Sequence, residues 1–395
     1  MPMSPSITHL ALPFFDDVHR EIAVRLAEWM NDQQVDERDD RQACRAWVRH
    51  LGDAGWLRYC VPSGADGELG GALPVLDSRA LVILRETLAF YSPLADFAFA
   101  MQGLGSGAIT LAGTPAQQAA YLPQVASGNK IAAFALSEAD AGSDAGAMAT
   151  RAVQNAGGWA LDGSKTWISN GDIADFYVTF AKTEPDASTR GVTAFIIDAD
   201  TPGLDASEHI AVMSPHPLAT LKFTDCRLGS GAQLGGLNGG FKLAMRTLDI
   251  FRASVAAAAL GMARRALLEA VQHAKSRKMF GQTLADFQLT QAKIGEMAAL
   301  IDAAALLTYR AAWLRDEGER LGRPARVTAE AAMAKMTATE NAQRVIDMAL
   351  QMHGGLGVKV GTKVESLYRD IRSLRIYEGA TEVQQLIIGK AVLQS

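Results

Sequence analysis

The residues with the clearest chemical potential lie between Arg369 and Leu386, RDIRSLRIYEGATEVQQL. Two amphipathic helical patterns meet here, separated by Tyr377-Glu378-Gly379-Ala380-Thr381. Glu378 places a carboxylate where the backbone turns, beside a glycine that lets another group approach closely. Such a carboxylate is a candidate proton acceptor. Thr381, followed by Glu382, opens the second helix as an N-cap region. The bland alternative is a solvated acid at a helix junction.

Five further stretches carry suitable residue types. Phe134 to Asp144, FALSEADAGSD, leaves a strand and enters a loop in which Ser137, Gly142 and Ser143 can offer hydroxyl and backbone N–H groups to a ligand. An ordinary polar turn has the same composition, and no Lys-Ser or Lys-Thr ending makes it a P-loop. In LDGSKTWISNG, Trp167 and Ser169 are two apart, so a strand puts them on one face. A flat aromatic beside a hydroxyl suits a planar, hydrogen-bonding ligand, although a strand tryptophan is more often core. Asp249 and Arg252 share one helical face, and as a surface pair they would contribute well under about 1 kcal/mol. Arg277-Lys278 can hold phosphate or simply end a helix favourably. In Gln351 to Gly357, QMHGGLG, the glycines end a helix, and with no strand before them a dinucleotide fingerprint is excluded. The seven histidines show no metal-ligand spacing, and His353 is read as a helix-end residue.

The elements that must position these groups follow from periodicity. Helical spacing of apolar residues predicts helices over 14–30, 41–51, 78–90 and 95–112, with Thr114-Pro115 and Gln117 starting another. From Ile131 to about Leu228 the runs shorten and turn residues multiply, which predicts an antiparallel sheet. The runs are 131–136, two separated by Asn155-Ala156-Gly157-Gly158 of which the second is 159–168, then 176–181, 192–197 and 219–223. A Gly-rich linker from Leu228 to Gly240 precedes long Ala- and Leu-rich helices at about 241–275, 285–316, 327–352, 362–372 and 381–393. The expected class is α+β and mostly helical. Residues 1–130 form a helical domain, 131–233 a β domain, and 234–395 a helical bundle.

Composition excludes several classes. The chain has 395 residues, 49% of them hydrophobic, and a net charge of -5, which speaks for a globular protein and against a nucleic-acid partner. Three scattered cysteines, Cys44, Cys60 and Cys226, form no CxxC pair and fit a reducing cytoplasm. The opening MPMSPSITHLALPFFDD lacks the pattern of a signal peptide. No apolar stretch is read as reaching membrane-spanning length.

The order and spacing of these motifs resemble the acyl-CoA dehydrogenase family of flavoproteins, over nearly the whole chain. The specific pieces are Phe134–Asp144, Trp167–Gly171, Arg277–Gly281, Gln351–Gly355 and Arg369–Glu382. The resemblance implies an N-terminal helical domain, a middle antiparallel β domain and a C-terminal four-helix bundle, with FAD between the last two. It implies that Phe134, Leu136, Ser137, Gly142 and Ser143 touch FAD and that Trp167 and Ser169 lie at the flavin ring. Arg277, Phe280, Gln288, Gln351 and Gly355 would serve the FAD of a neighbouring subunit, with Thr381 and Glu382 near the adenosine side. Ser143, Asp249, Arg252 and Gly379 would meet acyl-CoA, and Glu378 would be the catalytic base.

The implied reaction is α,β-dehydrogenation of an acyl-CoA to the trans-2-enoyl-CoA by a homotetramer that passes electrons to an electron-transferring flavoprotein. The backbone N–H of the base and a flavin ribityl hydroxyl would steady the thioester oxygen. Some relatives carry the base on the helix before Arg252, but that position is Phe251 here, which leaves Glu378. Ala380 stands where Thr is common, and Glu138-Ala139-Asp140 where Pro-Gly is frequent. Relatives with another outcome, whether oxidase, decarboxylating dehydrogenase or desulfinase, remain an alternative. So does a catalytically silent helical scaffold. The segment Leu94 to Gln102 lacks the arginine that a decarboxylating relative uses.

Overall fold

The computed structural model describes residues 5, 7–318, 320–322 and 327–394. Residues 1–4 and 6 of the opening segment read above lie outside the described residues.

The N-terminal helices are α1 (Asp17–Asn31), α2 (Asp40–Asp53), α3 (Ser78–Tyr91), α4 (Pro93–Ala112) and α5 (Pro115–Ala126). The expected start of α5 is a full capping box. Thr114 accepts from the Gln117 N–H, and the Gln117 side chain accepts from the Thr114 N–H.

Eight strands follow: β1 (Ala132–Ala135), β2 (Arg151–Asn155), β3 (Gly158–Ser169), β4 (Phe176–Lys182), β5 (Val192–Asp198), β6 (Leu204–His209), β7 (Leu218–Gly229) and β8 (Gln233–Leu234). They form one sheet in the order β6-β7-β3-β2-β4-β5-β8, with β1 added beside β4. The sheet is antiparallel along its long pairings. The exceptions are β1, which runs parallel to β4, and a single parallel rung between Arg151 and Lys182. These parallel partners are not consecutive in the chain, so no crossover helix is needed. In β4 all seven residues are buried, as expected of a near-continuous apolar run in mid-sheet.

The second helical region comprises α6 (Gly240–Ser276), the short hairpin β9 (Lys278–Met279) and β10 (Gln282–Thr283), α7 (Gln288–Glu317), α8 (Thr328–His353), α9 (Lys363–Leu374) and α10 (Thr381–Leu393). One expectation is corrected here. By length and composition α7 is apolar enough to cross a membrane. Half of its most apolar stretch is buried in this fold, where α7 packs on α8 and α3.

The chain forms two compact units that do not follow its linear order. One contains the stretch through Gln34, Ser78–Asp96 and everything from Asp249 onward. The other contains Val35–Asp77 and Phe97–Leu248, and with them the whole sheet. Within the first unit α3 is buried over almost its whole surface, from Ser78 to Phe90. At Gly261 of α6 a Cβ would lie 2.1 Å from the Glu86 carbonyl oxygen, so only glycine lets these two helices approach so closely. Enclosing α3 on all sides carries Arg85 and Glu86 into the interior, where each needs a charged partner.

Candidate active site

α9 buries Val364, Leu367, Ile371 and Leu374 along one stripe, which fixes where its C-terminus delivers the chain. The break that follows has an unusual backbone. Glu378 lies at φ +53° and Gly379 at φ +91°, two successive left-handed residues. Holding a glutamate there costs on the order of 1–3 kcal/mol. The Gly379 carbonyl accepts from Lys335 Nζ and from Gln384 Nε2, each at 2.8 Å. Among the described residues no backbone carbonyl accepts from the Glu378 N–H.

Thr381 differs from its expected role. It is the first residue of α10, and the capping position is Ala380, which has no side-chain acceptor to offer. The Thr381 hydroxyl donates instead to Glu340 Oε1 at 2.6 Å, which also accepts from Arg375 Nε at 2.8 Å.

Glu378 as a whole is half-buried, but its Oε2 atom is enclosed and has no hydrogen-bond partner among the described residues. Burial raises its proton affinity above that of an ordinary carboxylate, and Arg85, Lys335 and Arg252 oppose that rise in this order. Arg85 forms a fork on Asp96, with Nε–Oδ1 and Nη2–Oδ2 both 2.8 Å, and donates through Nη1 to Ser254 Oγ at 3.0 Å. Arg252 reaches Asp249 at 2.5 Å, and the other Asp249 oxygen accepts from Thr328 at 2.9 Å. At 5% exposure Arg252 is no surface residue, and its Nε is buried without a partner among the described residues. The reading of this pair as a solvated ion pair is thereby overturned.

In the unit that holds the sheet, the loop after β1 is organised by a buried ion pair that sequence reading missed. Lys165, fully buried on β3, donates to Glu138 Oε1 at 2.7 Å and to the Leu136 carbonyl at 3.0 Å. Burial lowers the Lys165 ammonium to about 8, with Glu138 pulling it back upward. Glu138 also accepts from the backbone N–H groups of Ala149 and Thr150. Ser137 is half-buried, Gly142 and Ser143 are exposed, and a Cβ at Gly142 would meet nothing within 4 Å. Phe134 is half-buried and Leu136 buried. Glu138→Gln keeps the shape but removes the charge facing Lys165. We expect it to lower unfolding stability by about 1–3 kcal/mol, read from a denaturant midpoint. An unchanged midpoint would show that the pair does not organise the loop.

Trp167 is 57% exposed with φ +60°, at a register shift between Lys165 and Ile168 in the β3–β7 pairing. It is therefore not a core residue. Ile168 is buried and Ser169 half-buried, so Trp167 and Ser169 both lie away from the buried side, placed there by a bulge instead of a regular pleat. Phe280 also has a positive φ, +50°, and is 87% exposed. Arg277, Gln288, Gln351, Gly355 and Glu382 are likewise exposed. His353 ends α8 as expected, its Nδ1–H donating to the Ala349 carbonyl of its own turn at 2.7 Å, and stacks on His273. Among the described residues no group of acids, histidines and cysteines is arranged to hold a metal ion.

Arg85, Asp96, Ser254, Lys335 and Gln384 were not singled out from sequence. The available signal was a lone polar residue inside an apolar run, as in ALVILRETLAF and AEAAMAKMTA.

Three family models match the chain: acyl-CoA dehydrogenase N-terminal domain over residues 16–129, middle domain over 133–226 and C-terminal domain over 238–393. A 3-(aryl)acrylate reductase of Clostridium sporogenes is 37% identical over 96% of this chain and 100% of its own length. Subunit CarC of the caffeyl-CoA reductase-Etf complex of Acetobacterium woodii is 39% identical, covering 86% of this chain and 87% of its own. The human mitochondrial short-chain specific acyl-CoA dehydrogenase is 38% identical, covering 89% and 83%. Among solved structures, butyryl-CoA dehydrogenase from Megasphaera elsdenii superimposes with a TM-score of 0.87 at 33% identity, covering 96% of this chain and 99% of that one. An acyl-CoA dehydrogenase complexed with FAD from Bacillus anthracis does so with a TM-score of 0.85 at 29% identity, covering 96% and 67%.

Proposed function

Because this chain belongs to the acyl-CoA dehydrogenase family, we propose that it is an FAD-dependent oxidoreductase that converts an acyl-CoA thioester to the trans-2-enoyl-CoA, with Glu378 as the base. The observation that carries the reading is the enclosed carboxyl oxygen of Glu378, unpartnered among the described residues and set on a left-handed turn where Arg85, Lys335 and Arg252 act on it.

The residues present suit FAD. Trp167 leaves an aromatic face in solvent that a flat ring system would cover. Phe134, Leu136, Ser137, Gly142, Ser143 and Ser169 supply apolar contact, hydroxyls and open backbone of the kind a dinucleotide takes. On the helical unit, Arg277, Phe280, Gln288, Gln351 and Gly355 are exposed and offer charge, a ring and amides to the FAD of a neighbouring copy. Thr381 and Glu382 would lie towards its adenosine. Bound FAD supplies the acceptor for the hydride that leaves the β-carbon.

The chain's own part is proton transfer. A thioester α-proton is weakly acidic, so the base needs a raised proton affinity, and burial provides it. Arg85, Lys335 and Arg252 oppose that rise, because each favours the ionised carboxylate. Charge that develops on the thioester oxygen would meet the Glu378 N–H, which has no competing backbone acceptor among the described residues. Asp249, Arg252, Ser143 and Gly379 would contact the acyl-CoA, with Arg252 held rigid by Asp249.

The expected pH profile follows from the sign of the shift. kcat/KM should fall on acidification through a pKa above the ordinary 4.5 of a glutamate, because protonated Glu378 cannot accept the α-proton. An acid limb at or below 4.5 would contradict this.

The same groups serve the reverse reaction, in which protonated Glu378 delivers a proton to the α-carbon. Relatives named as an aryl-acrylate reductase and a caffeyl-CoA reductase subunit favour testing that direction. Anaerobic mixing with short, branched and aryl acyl-CoAs should bleach the flavin and yield the enoyl product. Rapid reoxidation of the reduced protein by an aryl-acrylyl-CoA, with slow bleaching by saturated thioesters, would assign the reductive direction. Neither reaction with any thioester would refute both readings. An electron-transferring flavoprotein is the proposed electron partner, in keeping with the Etf complex of one relative. A homotetramer is the proposed assembly, supported by the exposure of Phe280, Leu289, Leu386 and Leu393 on the single chain.

A further inference from the structure

Lys335 sits in AEAAMAKMTA on α8, and Ala331, Ala332, Ala334 and Ala338 around it are all buried. The lysine itself is fully buried. A buried ammonium is costly unless something accepts from it, and any apolar residue would pack this helix at lower cost. The acceptor here, among the described residues, is one backbone carbonyl, that of Gly379, at 2.8 Å.

A second side chain converges on the same spot. Gln384 of α10, also fully buried, donates Nε2 to the Gly379 carbonyl at 2.8 Å and to the Glu378 carbonyl at 3.3 Å. Its Oε1 is enclosed and unpartnered among the described residues, so the amide is oriented by its donor side alone. The two carbonyls so held belong to the two consecutive left-handed residues, at φ +53° and +91°. Strain of this kind persists only where the surroundings over-determine it. Here α8 and α10 do so from two directions.

Resting on the reading of Glu378 as the proton acceptor, we propose that Lys335 is its positioning residue, gripping the Gly379 carbonyl together with Gln384 so that the turn aims the Glu378 carboxyl and a positive charge stands close to it. Glu378 is also faced by Arg85 from α3, Arg252 from α6, and Asp96 from α4, with Tyr377 beside it. These groups remain when Lys335 is replaced, so the effect of one charge can be read against a constant background. Lys335 in turn senses Glu378, Glu340 and Glu382, which attract its charge, and Arg252, which repels it. Burial brings its ammonium down to about 8, so it is charged at neutral pH and loses that charge above.

The test is rapid-mixing flavin reduction by an acyl-CoA across pH, on FAD-loaded protein, for wild type, Lys335→Met, Gln384→Leu and Glu378→Gln. Lys335→Met is expected to slow reduction at neutral pH on the order of a hundredfold. It should also move the acid limb upward by about one pH unit, since the carboxylate has lost a favourable charge. Gln384→Leu is expected to slow reduction with the limb in place, because no charge is removed. A Lys335→Met protein whose rate stays within twofold of wild type and whose limb does not move overturns the proposal. Should that variant fail to fold, a Gln384→Leu rate within twofold of wild type overturns it instead. If Glu378→Gln itself reduces flavin at the wild-type rate, the acceptor assignment fails. If Glu378→Gln is inactive and Lys335→Met is normal, only the positioning role fails.

Discussion

Replacing Glu378 with glutamine is expected to lower turnover by about 10²–10⁴-fold, the contribution of a positioned general base, while FAD stays bound. Glutamine matches the shape of glutamate, so the local packing survives. The amide cannot take a proton at any working pH. Because Oε2 has no hydrogen-bond partner among the described residues, no structural bond is lost there, and the fold should tolerate the change. Flavin absorbance, thermal midpoint and steady-state turnover, measured on one preparation, separate the outcomes. A variant with full flavin content and turnover within tenfold of wild type would remove Glu378 from the chemistry. Loss of flavin together with activity would make it a structural residue.

Asp96→Ala should destabilise the fold by about 3–5 kcal/mol, the cost of leaving one buried charge without its partner. Both side chains of the Arg85–Asp96 pair are 3% exposed, and the fork geometry accounts for two of the guanidinium's contacts. Burial works against the Arg85 charge, but Asp96 outweighs it and holds the guanidinium protonated. Without Asp96, Ser254 Oγ cannot balance a full charge. The double replacement Arg85→Met with Asp96→Leu should recover most of the loss, since an apolar pair of similar volume avoids the desolvation altogether. It should also raise the acid limb of kcat/KM, because Arg85 is the first among the charges opposing the rise at Glu378. Denaturant midpoints of the single and double variants decide the matter. A single variant within 1 kcal/mol of wild type would mean that water reaches Arg85.

This pair also bears on the substrate. The segment Leu94 to Gln102 holds no arginine for a distal carboxylate. Of the two buried arginines that act on Glu378, Arg85 comes from the preceding helix, and it is already matched by Asp96 inside that same segment. It offers no free positive charge, so the decarboxylating alternative gains nothing from it.

Much of the architecture was legible because local pattern and burial agree. The five helices after the Gly-rich linker were placed within a few residues, since Ala- and Leu-rich periodic runs admit little else. β4 and β5 were legible for a related reason, because their residues are mostly apolar. β6 was not. LDASEH carries charge, lies at the edge of the sheet and alternates only between half-buried and exposed, so it gives no apolar period to read. The parallel pairing of β1 with β4 was also missed, because partners some 40 residues apart leave no local trace.

The sequence by itself determined which elements form, and it placed Glu378 at a break between helices with a glycine behind it. Those properties are local: they follow from apolar spacing, from capping residues and from where glycine falls. Only the tertiary structure decided that Lys165, Arg85, Asp96 and Lys335 are inside, that Trp167 is outside, and that Glu378 is held left-handed. The physical reason is that a charged side chain reads the same in sequence whether water or protein surrounds it. Its proton affinity, its energetic weight and its direction are set by groups that arrive from distant parts of the chain.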